Sequence, residues 1–248
     1  MVGALLLRGM LVGLVAGILG FGFLKIVGEP PVERSIVFEN QSETKATDEK
    51  AEAEPVLVSR KVQAGIGLFT GVMVYSAAFG GLFALAFALA YRRLGDLSPR
   101  ATAALLATAG FVAVYLVPTL KYPANPPAVG APDTIGLRTS LYFTMIALSL
   151  AGIIAAGMLR DRLRRRFGEW NAAVIAGVAY LAAMIIVGLA LPTVNEVPEN
   201  FPAIVLWQFR IASIGGQLIL WATVGLAFGA AAEPVVGERS GSPLPSRI

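Results

Sequence analysis

The sequence has no cysteine and no histidine among its 248 residues, and charged side chains make up only 15% of it. Without cysteine there is no disulfide framework and no thiolate to ligate a metal. Without histidine, imidazole ligation and imidazole acid–base chemistry are both lost. No G-x-S-x-G elbow, no G-x-x-x-x-G-K-[ST] loop and no pair of carboxylates buried in a helix is read here, which removes the common hydrolase and nucleotide-hydrolysing signatures. The expectation is a protein that is not an enzyme and holds no cofactor.

What the chain has in excess is oil. Hydrophobic residues make up 56% of it and the mean hydropathy is +0.71, too apolar for a soluble domain and too poor in charge for a disordered one. Crossing a hydrocarbon layer takes ~20 apolar residues as a helix, because backbone N–H and C=O groups find no water there and must bond to each other. Six segments qualify: Ala4 to Val27, Val62 to Tyr91, Ala101 to Leu120, Ser140 to Leu159, Ala172 to Leu191 and Ala203 to Ala231. The fold class expected is all-α, a polytopic membrane protein of six transmembrane helices surrounded by membrane lipids. Glycines at helical spacing, Gly9, Gly13 and Gly17, then Gly67 and Gly71, then Gly225 and Gly229, read as close helix–helix contacts.

Arginine sets the orientation. Arg92, Arg93 and Arg100 follow the second segment, and "RDRLRRR" (160–166) follows the fourth, whereas the short loops on the other side carry few basic residues. Both termini are then cytoplasmic in a bacterial cytoplasmic (inner) membrane, and the polybasic run faces anionic lipid rather than nucleic acid. The first segment lacks a clear cleavage site and reads as retained. The domains expected are a first helix over 1–27, an acidic outer loop over 28–61 that is partly disordered, a five-helix remainder over 62–231 and a disordered cytoplasmic tail over 232–248. Between 28 and 59 stand eight acidic residues against three basic ones.

The outer connectors repeat. "VPTLKYPANPP" and "LPTVNEVPENFP" share Pro-Thr followed by Pro-x-Asn, and each returning helix has a proline and then an arginine: Pro55 and Arg60, Pro132 and Arg138, Pro202 and Arg210. This predicts three quasi-repeated helical hairpins with stiff turns, since proline fixes φ and restricts the residue before it. Such turns present polar groups at defined places. The candidates for a polar vestibule or substrate path are Glu29, Glu33, Arg60, Asn125, Asp133, Arg138, Glu196, Glu199, Asn200 and Arg210, with no metal ligand set assigned. Asp133 is read both as an attracting charge and as the N-cap of the following helix.

"GEPPVERSIVFE", "VSRKVQAGIGLFTG", "KYPANPPAVGAPDTIGLRT" and "LPTVNEVPENFPAIVLWQFRIASIGGQLILWATVGL" resemble the CbtA-type family of bacterial predicted cobalt-transporter subunits. The resemblance runs from the first helix to about Gly229. It implies an integral membrane subunit of a cobalt (divalent cation) uptake transporter, paired with a small single-span partner that bears histidine. Two classes stay open from the residues themselves: a cation transporter, alone or as an oligomer, and a non-conducting accessory or assembly subunit of a larger complex.

Overall fold

The computed structural model describes residues 1–46 and 58–237. Among these it contains helices and no strand. The helices are α1 (Val2–Phe23), α2 (Glu29–Ala46), α3 (Arg60–Val62), α4 (Leu68–Ala90), α5 (Pro99–Gly110), α6 (Val117–Lys121), α7 (Ile135–Ala190) and α8 (Ala203–Gly237). Wider π-helical turns over Leu24–Gly28, Gln63–Gly67 and Phe111–Leu116 join α1 to α2, α3 to α4 and α5 to α6. Five of the resulting continuous helices are long and apolar enough to cross a membrane. Their outer surfaces are oily: Leu7, Leu11, Val15 and Ile18 of α1 and Ile185, Ile186 and Leu189 of α7 are exposed, as lipid-facing side chains are.

Two of the π-turns have a local cause. A proline inside a helix offers no N–H to the carbonyl four residues back, and its ring crowds that carbonyl. For Pro30 and Pro31 these carbonyls belong to Ile26 and Val27, and for Pro118 to Val114, all of them inside π-turns. The wider turn moves the carbonyl aside and lets the helix run on. The helix therefore does not end at Val27 with the oily run. It continues through the prolines to Ala46, so residues 29–46 of the expected outer loop are helical. The remainder of that loop expected to be disordered, 47–57, lies outside the described residues. Likewise α8 continues through 232–237 of the expected tail, and 238–248 lie outside the described residues.

The chain divides into two compact units. One takes its described residues from Met1–Glu33, Glu43–Thr108 and Ile211–Ile248. Here α1 and α4 lie backbone to backbone: a methyl group on Gly9 would overlap the Gly80 carbonyl and Ala84, and one on Gly13 the Ser76 carbonyl. In the same unit Gly225 of α8 faces Ala107 of α5, and Phe228 meets the Phe83 and Phe87 rings edge-on at 5.5 and 5.1 Å. Gly71, expected at a helix contact, has open space beside it, and a side chain at Gly67 would meet only its own helix at Val62.

The other unit comprises Arg34–Ser42 and Ala109–Arg210. Its longest element is α7, which holds one non-helical residue, Gly168, with φ 77° and ψ 169°. A side chain is strained at that φ, and glycine is not. On either side of Gly168 the two halves of α7 pack on each other, with Met145, Tyr180, Met184 and Val117 of α6 forming one buried cluster. The hydroxyls of Ser149 and Tyr180 satisfy each other at 2.7 Å inside it. A second cluster joins Val129, Phe201 and Val205, with Phe38 edge-on to Phe201 at 5.0 Å.

Candidate functional site

In the first unit, Lys25, Glu29 and Glu33 recur at four-residue spacing along one helix face. Arg60, at the start of α3, spans both carboxylates: its Nη2 is 2.5 Å from Glu29 Oε2 and its Nε 3.1 Å from Glu33 Oε2. One turn earlier, Lys25 Nζ donates to the Ala64 carbonyl at 2.7 Å, which places the ammonium of one π-turn on a carbonyl of another. Gln63 Nε2 donates to the Val58 carbonyl at 3.1 Å. Charge alternates along this seam, so the Arg60 guanidinium is compensated on both sides.

In the second unit the two proline-rich connectors are tied to each other. Lys121 Nζ donates to Thr193 Oγ1 at 3.1 Å, and the Tyr122 hydroxyl to the Pro192 carbonyl at 2.8 Å. The Ala131 amide donates to Glu196 Oε2 at 2.8 Å. The Ala131 carbonyl accepts from Arg138 Nη2 at 3.1 Å and from the Thr134 hydroxyl at 2.9 Å. Arg138 Nε is buried without a hydrogen bond and stands 3.4 Å from Glu196 Oε2, at ion-pair range. Gly130, at φ 116°, lies against the Arg138 guanidinium, where any side chain would collide with it.

Glu196 is held below the ordinary carboxylate value of 4.5, first by the Thr134 hydroxyl, then by the Ala131 amide; the Arg138 charge adds less than partial burial takes away. A hydroxyl has one proton, so Thr134 divides it between the Ala131 carbonyl and this carboxylate. Burial pushes the Tyr122 phenol up from its ordinary value, so it stays a neutral donor to Pro192.

Arg210 belongs to the same unit but meets other partners. Its Nη2 donates to Asn125 Oδ1 at 3.0 Å and its Nε to the Ala124 carbonyl at 3.3 Å. Arg34 Nη1 donates to Gln208 Oε1 at 2.8 Å. Arg138 and Arg210 are thus satisfied separately. Asn125, a vestibule candidate, gives its side-chain oxygen to a guanidinium.

Asp133, Glu199 and Asn200 are exposed. Asp133 lies in a short 3-10 turn, Pro132–Thr134, and does not cap α7, whose N-cap position is Thr134 with no side-chain cap bond. The proline just before it leads the chain into that turn instead. Among the described residues no group of three or more His, Cys, Asp and Glu side chains is placed to hold a metal ion. Sequence reasoning passed over Lys25, Gly130 and Thr134. The spacing of Lys25 with Glu29 and Glu33 was visible; the contact of Gly130 with Arg138 left no sequence signal.

The family model described as "Probable cobalt transporter subunit (CbtA)" matches residues 2–233. No curated protein and no solved structure matches the chain.

Proposed function

The chain belongs to the CbtA family of probable cobalt transporter subunits, and on that premise we propose that it is the membrane subunit through which a divalent cation, cobalt, is taken up. The observation that carries this reading is the family match over nearly the whole chain. The side-chain geometry supports it by answering an electrostatic objection. Uncompensated arginines at an entrance repel a dication, but Arg60 is balanced by Glu29 and Glu33, and Arg138 by Glu196; only Arg210 of the three keeps its charge, with neutral oxygens as partners. Asp133 and Glu199 stand exposed on the connectors as the attracting charges. Weak ligation by oxygen alone suits conduction, where an ion has to leave as readily as it enters.

In this reading α7 makes two crossings that turn at Gly168, for six in all, arranged as three hairpins in the bacterial cytoplasmic membrane. Both termini and the 160–166 run are cytoplasmic, and the proline connectors face outward. Arginine asymmetry supports that orientation. Cobalt is cargo, not cofactor, and no enzymatic step is assigned. A small histidine-bearing subunit would supply the imidazole ligation that this chain has no residue to offer.

A second reading, a non-conducting assembly subunit, is favoured by one observation. The buried polar residues among those described are Ser35, Ser76, Thr102 and Ser149, with no carboxylate among them. Cobalt uptake into proteoliposomes separates the two. Uptake by this chain, alone or with its partner subunit, supports conduction; uptake by the partner alone, unchanged when this chain is added, assigns it to assembly.

A further inference from the structure

The arginines of 160–166 are sorted onto two faces of α7. Arg160 and Arg164, four residues apart, turn toward the acidic side chains of the bend: Arg160 Nη2 is 2.6 Å from Glu169 Oε2 and its Nη1 3.5 Å from Asp161 Oδ1, and Arg164 Nη1 is 3.9 Å from Glu169 Oε1. Arg162, Arg165 and Arg166, at i, i+3 and i+4, share the opposite face. All three are exposed, and among the described residues none has a carboxylate partner. Arg166 lies over the ring of Phe167 at 5.3 Å. Asp161 and Glu169, the acidic residues on either side of the arginine run, are thus both paired with Arg160 and Arg164, and the other face presents three uncompensated guanidiniums.

Depth adds a second constraint. The oily run ends at Leu159, but the helix continues to the break at Gly168. At 1.5 Å rise per residue the arginines stand roughly 1 to 10 Å beyond the apolar segment, a distance comparable with the headgroup layer. Phe167, which Arg166 covers, is 41% exposed, and Trp170, two residues past the break, is 78% exposed. A large exposed indole next to cations is costly in open water and favoured at the headgroup level of a bilayer.

We propose that the face formed by Arg162, Arg165 and Arg166, flanked by Trp170, binds the phosphate-bearing headgroups of anionic phospholipid. Guanidinium meets phosphate through paired N–H donors, and three on one face favour anionic over zwitterionic lipid. The proposal rests on the reading that α7 crosses the bilayer twice and turns at Gly168. It is independent of what the protein transports.

The test uses the full chain in vesicles of phosphatidylcholine containing phosphatidylglycerol, with spin-labelled lipids reporting which headgroup is held at the protein surface. The expected result is a several-fold preference for phosphatidylglycerol that weakens with salt. Arg162→Gln/Arg165→Gln/Arg166→Gln brings it close to parity, and Arg160→Gln/Arg164→Gln leaves it in place. Substituting all three by lysine retains most of the preference, which separates lost charge from lost fold. Thiol labelling of Asp96→Cys in the same vesicles reads the crossing pattern independently. A preference that survives the triple Gln variant overturns the proposal, as does its abolition by millimolar inorganic phosphate, which would identify a free-phosphate site. Binding of an RNA oligomer by this face with no headgroup preference overturns it too.

Discussion

Arg138 and Glu196 hold Ala131 between them, the carboxylate accepting its N–H at 2.8 Å and the guanidinium donating to its C=O at 3.1 Å. Neither side chain needs the other in perfect alignment, because both are aligned by the backbone of the same residue, through the peptide groups on its two sides. The end of the first proline connector is thereby fixed to the second. Replacing Glu196 by alanine removes the acceptor for Ala131 and the partner of Arg138 together. Thermal unfolding in detergent should show a lower midpoint for Glu196→Ala than for Glu196→Gln, since the amide keeps an oxygen for Ala131. Equal midpoints for both variants and the wild type would show that this clamp does not stabilise the fold.

The same carboxylate sets a pH dependence. Its folded value lies below its ordinary 4.5, so the stability it contributes is present above 4.5 and is lost as pH falls through the lower folded value. Wild-type melting temperature should therefore fall more steeply in that acid window than that of Glu196→Gln, with the two curves parallel near neutral pH. Identical acid slopes would assign the acid sensitivity to other groups.

Glycine substitutions divide by contact. Gly13→Val places a side chain into the Ser76 carbonyl of α4, and overpacking of this kind costs typically 1–3 kcal/mol, more when backbone is the obstacle. Gly71→Ala meets open space and removes helical glycine entropy, a gain of roughly 0.5–1 kcal/mol. Gly130→Ala combines a strained positive φ with overlap on Arg138 and is expected to cost about 1–3 kcal/mol. Folded yield by size exclusion and unfolding midpoints should rank Gly71→Ala first and Gly13→Val last.

Asp133→Asn and Glu199→Gln change charge at exposed positions whose side chains have no ion pair among the described residues. Stability should stay within about 0.5 kcal/mol of wild type. Cobalt uptake at matched protein levels, measured at low ionic strength, should fall several-fold in the double variant and recover part of the difference when wild type is slowed by salt. Unchanged uptake would remove these carboxylates from the entry path.

Topology is open to direct labelling. An impermeant thiol reagent added outside intact cells should label Asn200→Cys at once and Asp96→Cys only after permeabilisation, both positions being exposed. The opposite pattern would invert the orientation and the direction assigned to the connectors.

Composition and spacing alone determined that this chain is helical and membrane-embedded, because ~20 apolar residues without water leave the backbone no other way to satisfy itself. They also brought forward Arg60, Glu29 and Glu33 as polar candidates, although the pairing among them and the helix that carries the two carboxylates came from the structure. Tertiary structure decided the rest, for reasons that sequence does not encode locally. The helix expected to stop at Val27 continues to Ala46 because a π-turn absorbs the prolines, and Pro30 and Pro31 are equally compatible with ending the helix, so they do not choose between the two locally. Asp133 does not cap α7, and Arg138 takes Glu196 from a connector 58 positions away, a choice fixed by how the two connectors dock. Gly67 and Gly71 have the spacing of a helix contact, yet among the described residues no other helix comes within touching distance of a side chain placed there, whereas Gly9 and Gly13 lie directly against α4. Small residues permit close approach, but only packing of the whole chain selects which of them it uses.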